Sequence, residues 1–326
     1  METEKLEHGL KAKTIKGIIK RKIDQWLESV EDESLRKRME KGVIVTGGSI
    51  ASMLLGEPVN DFDVYLRSFD LARDVAQYYV KRFTVEKAEG IKAPIYVSTE
   101  DGRVKIVVKS SGIASEQGTN TPYEYFEGSP DENAAVYVGE VINDPAQIED
   151  TYQEIEEASL NTTGDDRTDK KRYHPIFLTT NAITLSDKLQ IVLRFFGEPD
   201  TIHENYDFVH CTNYWQSWDG GKLVLRPDAL EALLAKELRY VGSKYPICSV
   251  VRLRKFISRG WRINAGQILK MAMQISQLDL TDIKILEDQL TGVDTAYFLQ
   301  LIQRLKENDP EKVNGAYLIE IIDRIF

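Results

Sequence analysis

The sequence predicts an α+β protein in which a strand-containing core is followed by a helical domain. Residues 42–46 are rich in β-branched residues, as in a short buried strand, and residues 62–66 alternate between apolar and polar side chains. From Pro227 onward, apolar residues recur instead at helical spacing. With 326 residues, the chain is long enough to bury a large core and to divide in two.

The predicted organisation has three parts. Residues 1–41 should form N-terminal helices on the outside of the core, because apolar residues from Ile15 to Val30 recur every three or four positions among charges. Residues 42–225 should form the core domain, and residues 226–326 a helical domain. Within the core, the loop-rich stretch at about 110–173 is expected to be an acidic insertion.

Two further features place elements in the core. An Asp-Gly turn at Asp101-Gly102 between apolar runs predicts a hairpin of residues 95–98 and 104–109. Residues 71–83 have the pattern of a helix lying between strands.

The most specific pattern in the chain lies at residues 47–63. Gly47 and Gly48 follow the first predicted strand, and after twelve residues Asp61-Phe62-Asp63 opens the second. Alternation along that strand sends both carboxylates to one side, where they repel each other unless a cation lies between them. Mg²⁺ prefers such oxygen ligands. A helix starting at Ser49 would direct its first amide groups at an anion held by the glycine turn.

This pattern resembles the signature of the DNA polymerase beta-like nucleotidyltransferase superfamily. In that signature, a hydrophobe and Gly-(Gly/Ser) precede Asp-hydrophobe-(Asp/Glu)-hydrophobe. The spacing and the segment 54–58 are most similar to the head domain of CCA-adding enzymes and bacterial poly(A) polymerases. The resemblance implies a nucleotidyltransferase core built on a mixed β-sheet flanked by helices. In general texture, although by no motif, the chain also resembles phage-encoded nucleotidyltransferases.

The resemblance implies metal-dependent transfer of a nucleoside monophosphate from an NTP to an acceptor hydroxyl. It implies that Asp61 and Asp63 are catalytic and bridge two Mg²⁺ ions, with Mn²⁺ as an alternative. It also implies that Gly47, Gly48 and Ser49 hold the β and γ phosphates of the nucleotide.

A third carboxylate often lies on a later strand in this superfamily. The candidate here is Asp207, at the start of the strand-like run 206–215, and the competitor is Glu140. By resemblance, Asp207 is expected to complete the metal site on the side of the nucleophile and to be catalytic.

The sequence departs from the CCA-adding enzymes in ways that bear on specificity. Ala51-Ser52 stands where those enzymes commonly have Arg-Asp, and neither their Arg-Arg-Asp nor their Glu-Asp-x-x-Arg motif has a counterpart here. The nucleotide that is added is therefore left open.

The acceptor is predicted mainly from charge. The net charge is −10, yet residues 222–275 hold eleven bases against three acids, whereas residues 111–169 hold fifteen acids against one base. The basic stretch favours a polyanionic acceptor, an RNA 3′ end, although a solvated helix face would have the same composition. The alternatives are nucleotidylation of a protein, synthesis of a signalling oligonucleotide, or a non-catalytic binding or structural module that keeps the fold.

Localisation is predicted from absent signals. The sequence has neither an apolar run long enough to span a membrane nor a secretory leader. Its two cysteines fit a reducing compartment. We expect a cytoplasmic protein, in the host cytoplasm if it is viral, with no membrane partner. The oligomeric state is left open.

Overall fold

The computed structural model describes residues 9–86, 95–108, 172–178 and 181–280, together with residues 282, 285 and 289. The chain forms two compact units. In the first, the chain runs to Ile202 and resumes over Cys211–Arg226; the second contains His203–His210 and the chain from Pro227.

The first unit begins with the predicted N-terminal helices, α1 (Ala12–Glu28) and α2 (Glu33–Met39). The apolar side chains of α1 that recur every three or four residues, Ile15, Ile19, Ile23 and Trp26, are all buried. The Trp26 indole donates a hydrogen bond of 2.7 Å to the hydroxyl of Tyr79. Tyr79 belongs to α4 (Phe69–Glu86), which contains the helix predicted at 71–83.

A seven-stranded mixed sheet forms the centre of the first unit. Its strands are β1 (Val43–Thr46), β2 (Phe62–Leu66), β5 (Pro175–Leu178), β6 (Ala182–Leu185), β7 (Leu189–Phe196), β8 (Tyr214–Gln216) and β9 (Lys222–Val224). Their order is β5-β6-β7-β2-β1-β8-β9. Only the β2–β7 pair is parallel, and the other neighbours are antiparallel. The predicted mixed β-sheet flanked by helices is confirmed.

The two faces of this sheet differ in character. One face is apolar and belongs to the hydrophobic core together with α1, α2 and α4. It presents, among others, Val45, Val64, Ile191 and Trp215. Alternation sends Asp63 to the other face, together with its cross-strand neighbours Thr46 and Gln190 and with Tyr214, which pairs with Thr46. We call this second surface the polar face.

A separate two-stranded hairpin pairs β3 (Ile95–Ser98) with β4 (Lys105–Val108) around a 3₁₀ turn at Glu100–Gly102. This confirms the hairpin predicted at the Asp-Gly turn. The acidic insertion expected at about 110–173 lies, apart from its last two residues, outside the described residues.

The second unit is helical where it is described, with α6 (Pro227–Ala235), α7 (Pro246–Ser258) and α8 (Ala265–Ile275). The short α5 (Pro199–His203) lies at the boundary between the units. Asn264 caps α8 by accepting a hydrogen bond of 3.1 Å from the Gln267 amide. Residues 290–326 of the predicted helical domain lie outside the described residues.

The prediction of a strand over residues 206–215 is wrong. Asp207 lies in a bend, residues Val209–Cys211 form a 3₁₀ turn, and β8 begins only at Tyr214. The aromatic residues that made the run strand-like serve a different purpose, because the rings of Phe208 and His210 pack against Phe256 of α7. Tertiary packing therefore overrides the local strand preference.

None of the helices in the described ranges is long and apolar enough to cross a membrane.

Candidate active site

The glycine turn lies between β1 and α3 (Gly48–Leu55). Gly47 adopts φ 95° and ψ −150°, a conformation that side-chain-bearing residues rarely adopt. Its amide donates to the carbonyl of Cys211 at 3.1 Å. Gly48 is exposed, and a Cβ added there would meet nothing within 4 Å. The first turn of α3 is therefore open to an incoming group.

The turn is anchored from the β8 side of the sheet. The Thr46 hydroxyl donates a hydrogen bond of 2.9 Å to the carbonyl of Asn213. The Asn213 side chain in turn accepts from the amide of Arg226 at 2.8 Å. Because Thr46 and Asn213 are fully buried, these bonds hold the turn in place.

Ser49 supplies an independent sign of an anion site at this turn. The residue is only 4% exposed, and among the described residues its hydroxyl has no hydrogen-bond partner. A buried hydroxyl left without a partner costs about 1–3 kcal/mol. Because Ser49 lies in the first turn of α3, where amide groups and the helix dipole favour an anion, a phosphate oxygen would satisfy it.

The register of the sheet places the carboxylates next to this turn. β1 and β2 pair with Val45 opposite Val64. Continuing that antiparallel register by one residue sets Thr46 opposite Asp63, so Asp63 is beside the residue that precedes Gly47. Asp61 stands just before β2, two residues from Asp63, and both side chains are half-buried. The glycine turn and the aspartate pair, which are twelve residues apart in sequence, are therefore neighbours in the fold.

The turn between β6 and β7 fixes the start of β2. The Phe62 amide donates to the carbonyl of Lys188 at 2.9 Å, and the Lys188 ammonium donates to the carbonyl of Val59 at 3.2 Å. Lys188 is exposed, so a cation stands beside the segment that holds the carboxylates. On the apolar side, the Lys22 ammonium lies 4.9 Å from the centre of the Phe62 ring and donates to the carbonyl of Asp187. Burial lowers the pKa of Lys22 to about 8.

Asp207 belongs to the second unit, whereas Asp61 and Asp63 belong to the first. One oxygen of its buried carboxylate accepts a hydrogen bond of 2.7 Å from the Ser249 hydroxyl, and the other is paired with Arg252 at 2.5 Å. These contacts attach α7 to the segment that holds Asp207. Its role as a metal ligand stays a prediction, and the ion pair competes with it. Glu140 lies outside the described residues.

One side chain near the aspartates was missed by the sequence reasoning. Gln190 of β7 lies directly beside Asp63 in the parallel register. No local signal could have identified it, because about 120 residues separate the two strands and nothing in the run 189–196 marks it as the parallel partner of β2.

The donors present at this place fit a magnesium–nucleotide complex. Asp61 and Asp63 offer carboxylate oxygens, which Mg²⁺ prefers, and the orphaned Ser49 hydroxyl stands at a helix N-terminus that favours phosphate. Among the described residues, no group of three or more His, Cys, Asp and Glu side chains is arranged to hold a metal ion. Mg²⁺ is usually held by one or two carboxylates together with substrate phosphates and water, so two carboxylates suffice for such a complex.

The mixed sheet thus sets a glycine turn beside an Asp-x-Asp strand. The chain belongs to the Gabija anti-defense 2 family, whose model matches residues 17–236.

Solved structures with some similarity include two CCA-adding enzymes. The Thermotoga maritima enzyme complexed with tRNA is 13% identical with a TM-score of 0.36, and the match covers 88% of this chain and 54% of that chain. The Bacillus stearothermophilus enzyme in complex with CTP is 12% identical with a TM-score of 0.37, covering 86% and 51%. This chain thus spans about half the length of these enzymes. At such low TM-scores the similarity supports no conclusion about activity. Comparison with curated proteins finds no match.

Proposed function

We propose that this protein is a magnesium-dependent nucleotidyltransferase that moves a nucleoside monophosphate from an NTP to an acceptor hydroxyl. The observation that supports this most strongly is the register of β1 and β2, which sets Asp63 beside the residue preceding the Gly47 turn. Phosphate-binding amides and cation-binding carboxylates are thereby brought to one place, as transfer from a nucleotide requires.

In this proposal the chain binds and orients the two reactants. The first amides of α3 and the Ser49 hydroxyl would hold the β and γ phosphates, and Asp61 and Asp63 would hold the cation next to them. Magnesium, when bound, supplies charge stabilisation at the phosphates and at the attacking oxygen. The acceptor oxygen bonds to the α-phosphorus, the bond to the bridging oxygen breaks, and pyrophosphate leaves. The acceptor proton passes to solvent or to a nearby carboxylate.

We further propose that the acceptor is an RNA 3′ end. The second unit supports this, because residues 238–278 contain eight bases and no acid in a chain whose net charge is −10. Arg254, Lys255 and Arg259 are exposed. Such a surface attracts a polyanion.

The biological setting that we propose is action against the Gabija defense, as the name of the family indicates. In this setting, modification of RNA would be the means by which the defense is countered.

Transfer can be tested by incubating the purified chain with each α-labelled NTP, Mg²⁺ or Mn²⁺, and total cellular RNA and protein. Label that enters RNA supports both the transfer reaction and RNA as the acceptor. Label in protein or in a small molecule would support the transfer reaction but show that the acceptor is not RNA. The matched controls are Asp61→Asn and Asp63→Asn, which keep the side-chain shape but remove the charge. Label that persists in both variants would show that the carboxylates have been misassigned.

A second candidate function is that of a binding protein that counters Gabija without catalysis. It is favoured by the exposed apolar side chains of α7 and α8, Val250, Ile257, Ile268, Leu269 and Met273, which lie among the exposed basic residues of the same helices. Exposed apolar residues of this kind, when they form a continuous patch, mark interaction surfaces. The two candidate functions can be distinguished in cells that carry the Gabija defense. If the protein acts as an enzyme, Asp61→Asn/Asp63→Asn abolishes its anti-defense effect. If it acts only by binding, the double variant keeps that effect.

A further inference from the structure

Gln190 lies in the strand that pairs with β2 on the side away from β1. The parallel register sets Phe62 opposite Leu189, Asp63 opposite Gln190 and Val64 opposite Ile191. The flanking residues of both strands are buried in the core, whereas Asp63 and Gln190 are half-buried. Both side chains therefore project from the polar face, one strand spacing apart, about 4.8 Å.

No other described strand of the seven-stranded sheet contributes a carboxylate. Asp63 is the only Asp or Glu within the described residues of β1, β2 and β5 to β9. The position beside Asp63, where a third acidic ligand would be nearest, is therefore occupied by a neutral amide.

The Gln190 amide is also available to a ligand. Among the described residues its side chain has no hydrogen-bond partner, and it is in contact with solvent. An amide presents one acceptor oxygen and two donor hydrogens. Amide oxygens are accepted ligands of hard divalent cations, and they add no charge to the site.

Building on the proposed function, we propose that Gln190 is the third protein ligand of the cation at Asp61 and Asp63, through its amide oxygen. The side chains around the ion then contribute two negative charges rather than three. Affinity for divalent cations rises with the number of charged ligands. The site therefore binds a bare ion weakly and depends on the phosphates of the nucleotide to complete it, so that cation and nucleotide bind together.

The test is a titration of the full chain with Mn²⁺ alone, followed by the electron paramagnetic resonance signal of the free ion. Gln190→Glu should tighten Mn²⁺ binding about tenfold, because a unit charge is added beside the ion. Gln190→Leu should weaken it several-fold. Thr184→Glu is the matched control. Thr184 pairs with Gln190 and lies one strand farther from Asp63, so this variant adds the same charge to the same face but farther from the ion. It should change the affinity less than twofold.

Circular dichroism and the thermal midpoint confirm that each variant is folded. If neither Gln190 variant changes Mn²⁺ affinity by more than twofold, or if Thr184→Glu matches Gln190→Glu, Gln190 is not a ligand. Failure of the underlying site has a different signature, because Asp61→Ala/Asp63→Ala would then bind Mn²⁺ like the wild type. Absence of saturable binding in both the wild type and Gln190→Glu overturns both proposals.

Discussion

At the scale of single residues, Asp207 has the sequence context expected of a catalytic carboxylate, but its side chain makes structural contacts. It follows an aromatic residue and opens a run rich in β-branched and aromatic side chains. In the fold, Ser249 and Arg252 occupy its two oxygens.

We predict that Asp207→Asn lowers the free energy of unfolding by about 1–3 kcal/mol, because Arg252 loses its charged partner. The measurement is urea unfolding in EDTA, where no divalent ion contributes. If the main role of Asp207 were to bind a metal ion, Asp207→Asn would leave the stability in EDTA unchanged or raise it. In the matched variant Arg252→Met, the additional effect of Asp207→Asn should be smaller, since the pair is already broken.

His210 predicts a dependence of stability on pH. It is buried between the rings of Phe208, Phe256 and Trp261, and burial lowers its pKa from 6.5 to about 3. Well above pH 6.5, His210 is neutral in both the native and the unfolded state, so its burial does not make stability depend on pH. As the pH falls below 6.5, the unfolded chain takes up a proton that the native protein refuses, so stability falls by about 1.4 kcal/mol per pH unit.

This prediction is checked by urea unfolding of the wild type and His210→Leu between pH 7.5 and 5. Carboxylates contribute equally to both proteins, so the difference between the two curves isolates the histidine. The wild type should lose stability faster on acidification. Parallel curves would mean that His210 is protonated as easily in the native protein as in the unfolded chain.

At the scale of elements, α7 and the residue that follows it present two kinds of basic side chain that the sequence does not distinguish. Arg252 is used internally by Asp207, whereas Arg254, Lys255 and Arg259 are exposed. An acceptor-binding test must spare Arg252, because its loss would destabilise the unit.

We predict that Arg254→Gln/Lys255→Gln/Arg259→Gln weakens RNA binding and lowers the slope of log K against log salt by about 0.7 for each lost phosphate contact. Nucleotide binding should be unchanged. The control Lys13→Gln/Arg21→Gln/Lys41→Gln removes the same charge from exposed positions of the first unit. If the two triple variants weaken RNA binding equally, RNA responds to the overall charge of the protein and not to a specific basic surface on the second unit.

At the scale of the whole molecule, local patterns predicted the elements well and the neighbours of the site less well. Helical spacing in α1, the Asp-Gly hairpin and the glycine turn are signals contained within a few residues, and the structure confirms those elements. The pairing of β2 with β7 depends on a parallel crossover across a long insertion, which leaves no local trace. For that reason Gln190 went unnoticed, and the strand expected at Asp207 was wrong because its aromatic residues serve tertiary packing.

We propose that the glycine turn and the aspartate pair form one magnesium–nucleotide site. The most direct measurement is the thermal midpoint of the wild type and Asp61→Ala/Asp63→Ala, with NTP alone, Mg²⁺ alone and both together. A ligand at 100 times its dissociation constant stabilises the native state by about 2.7 kcal/mol, which for a protein of this size is a rise of a few degrees. We predict that rise for the wild type only when NTP and Mg²⁺ are both present, and its loss in the double variant. An equal magnesium-dependent rise in the double variant would contradict the claim.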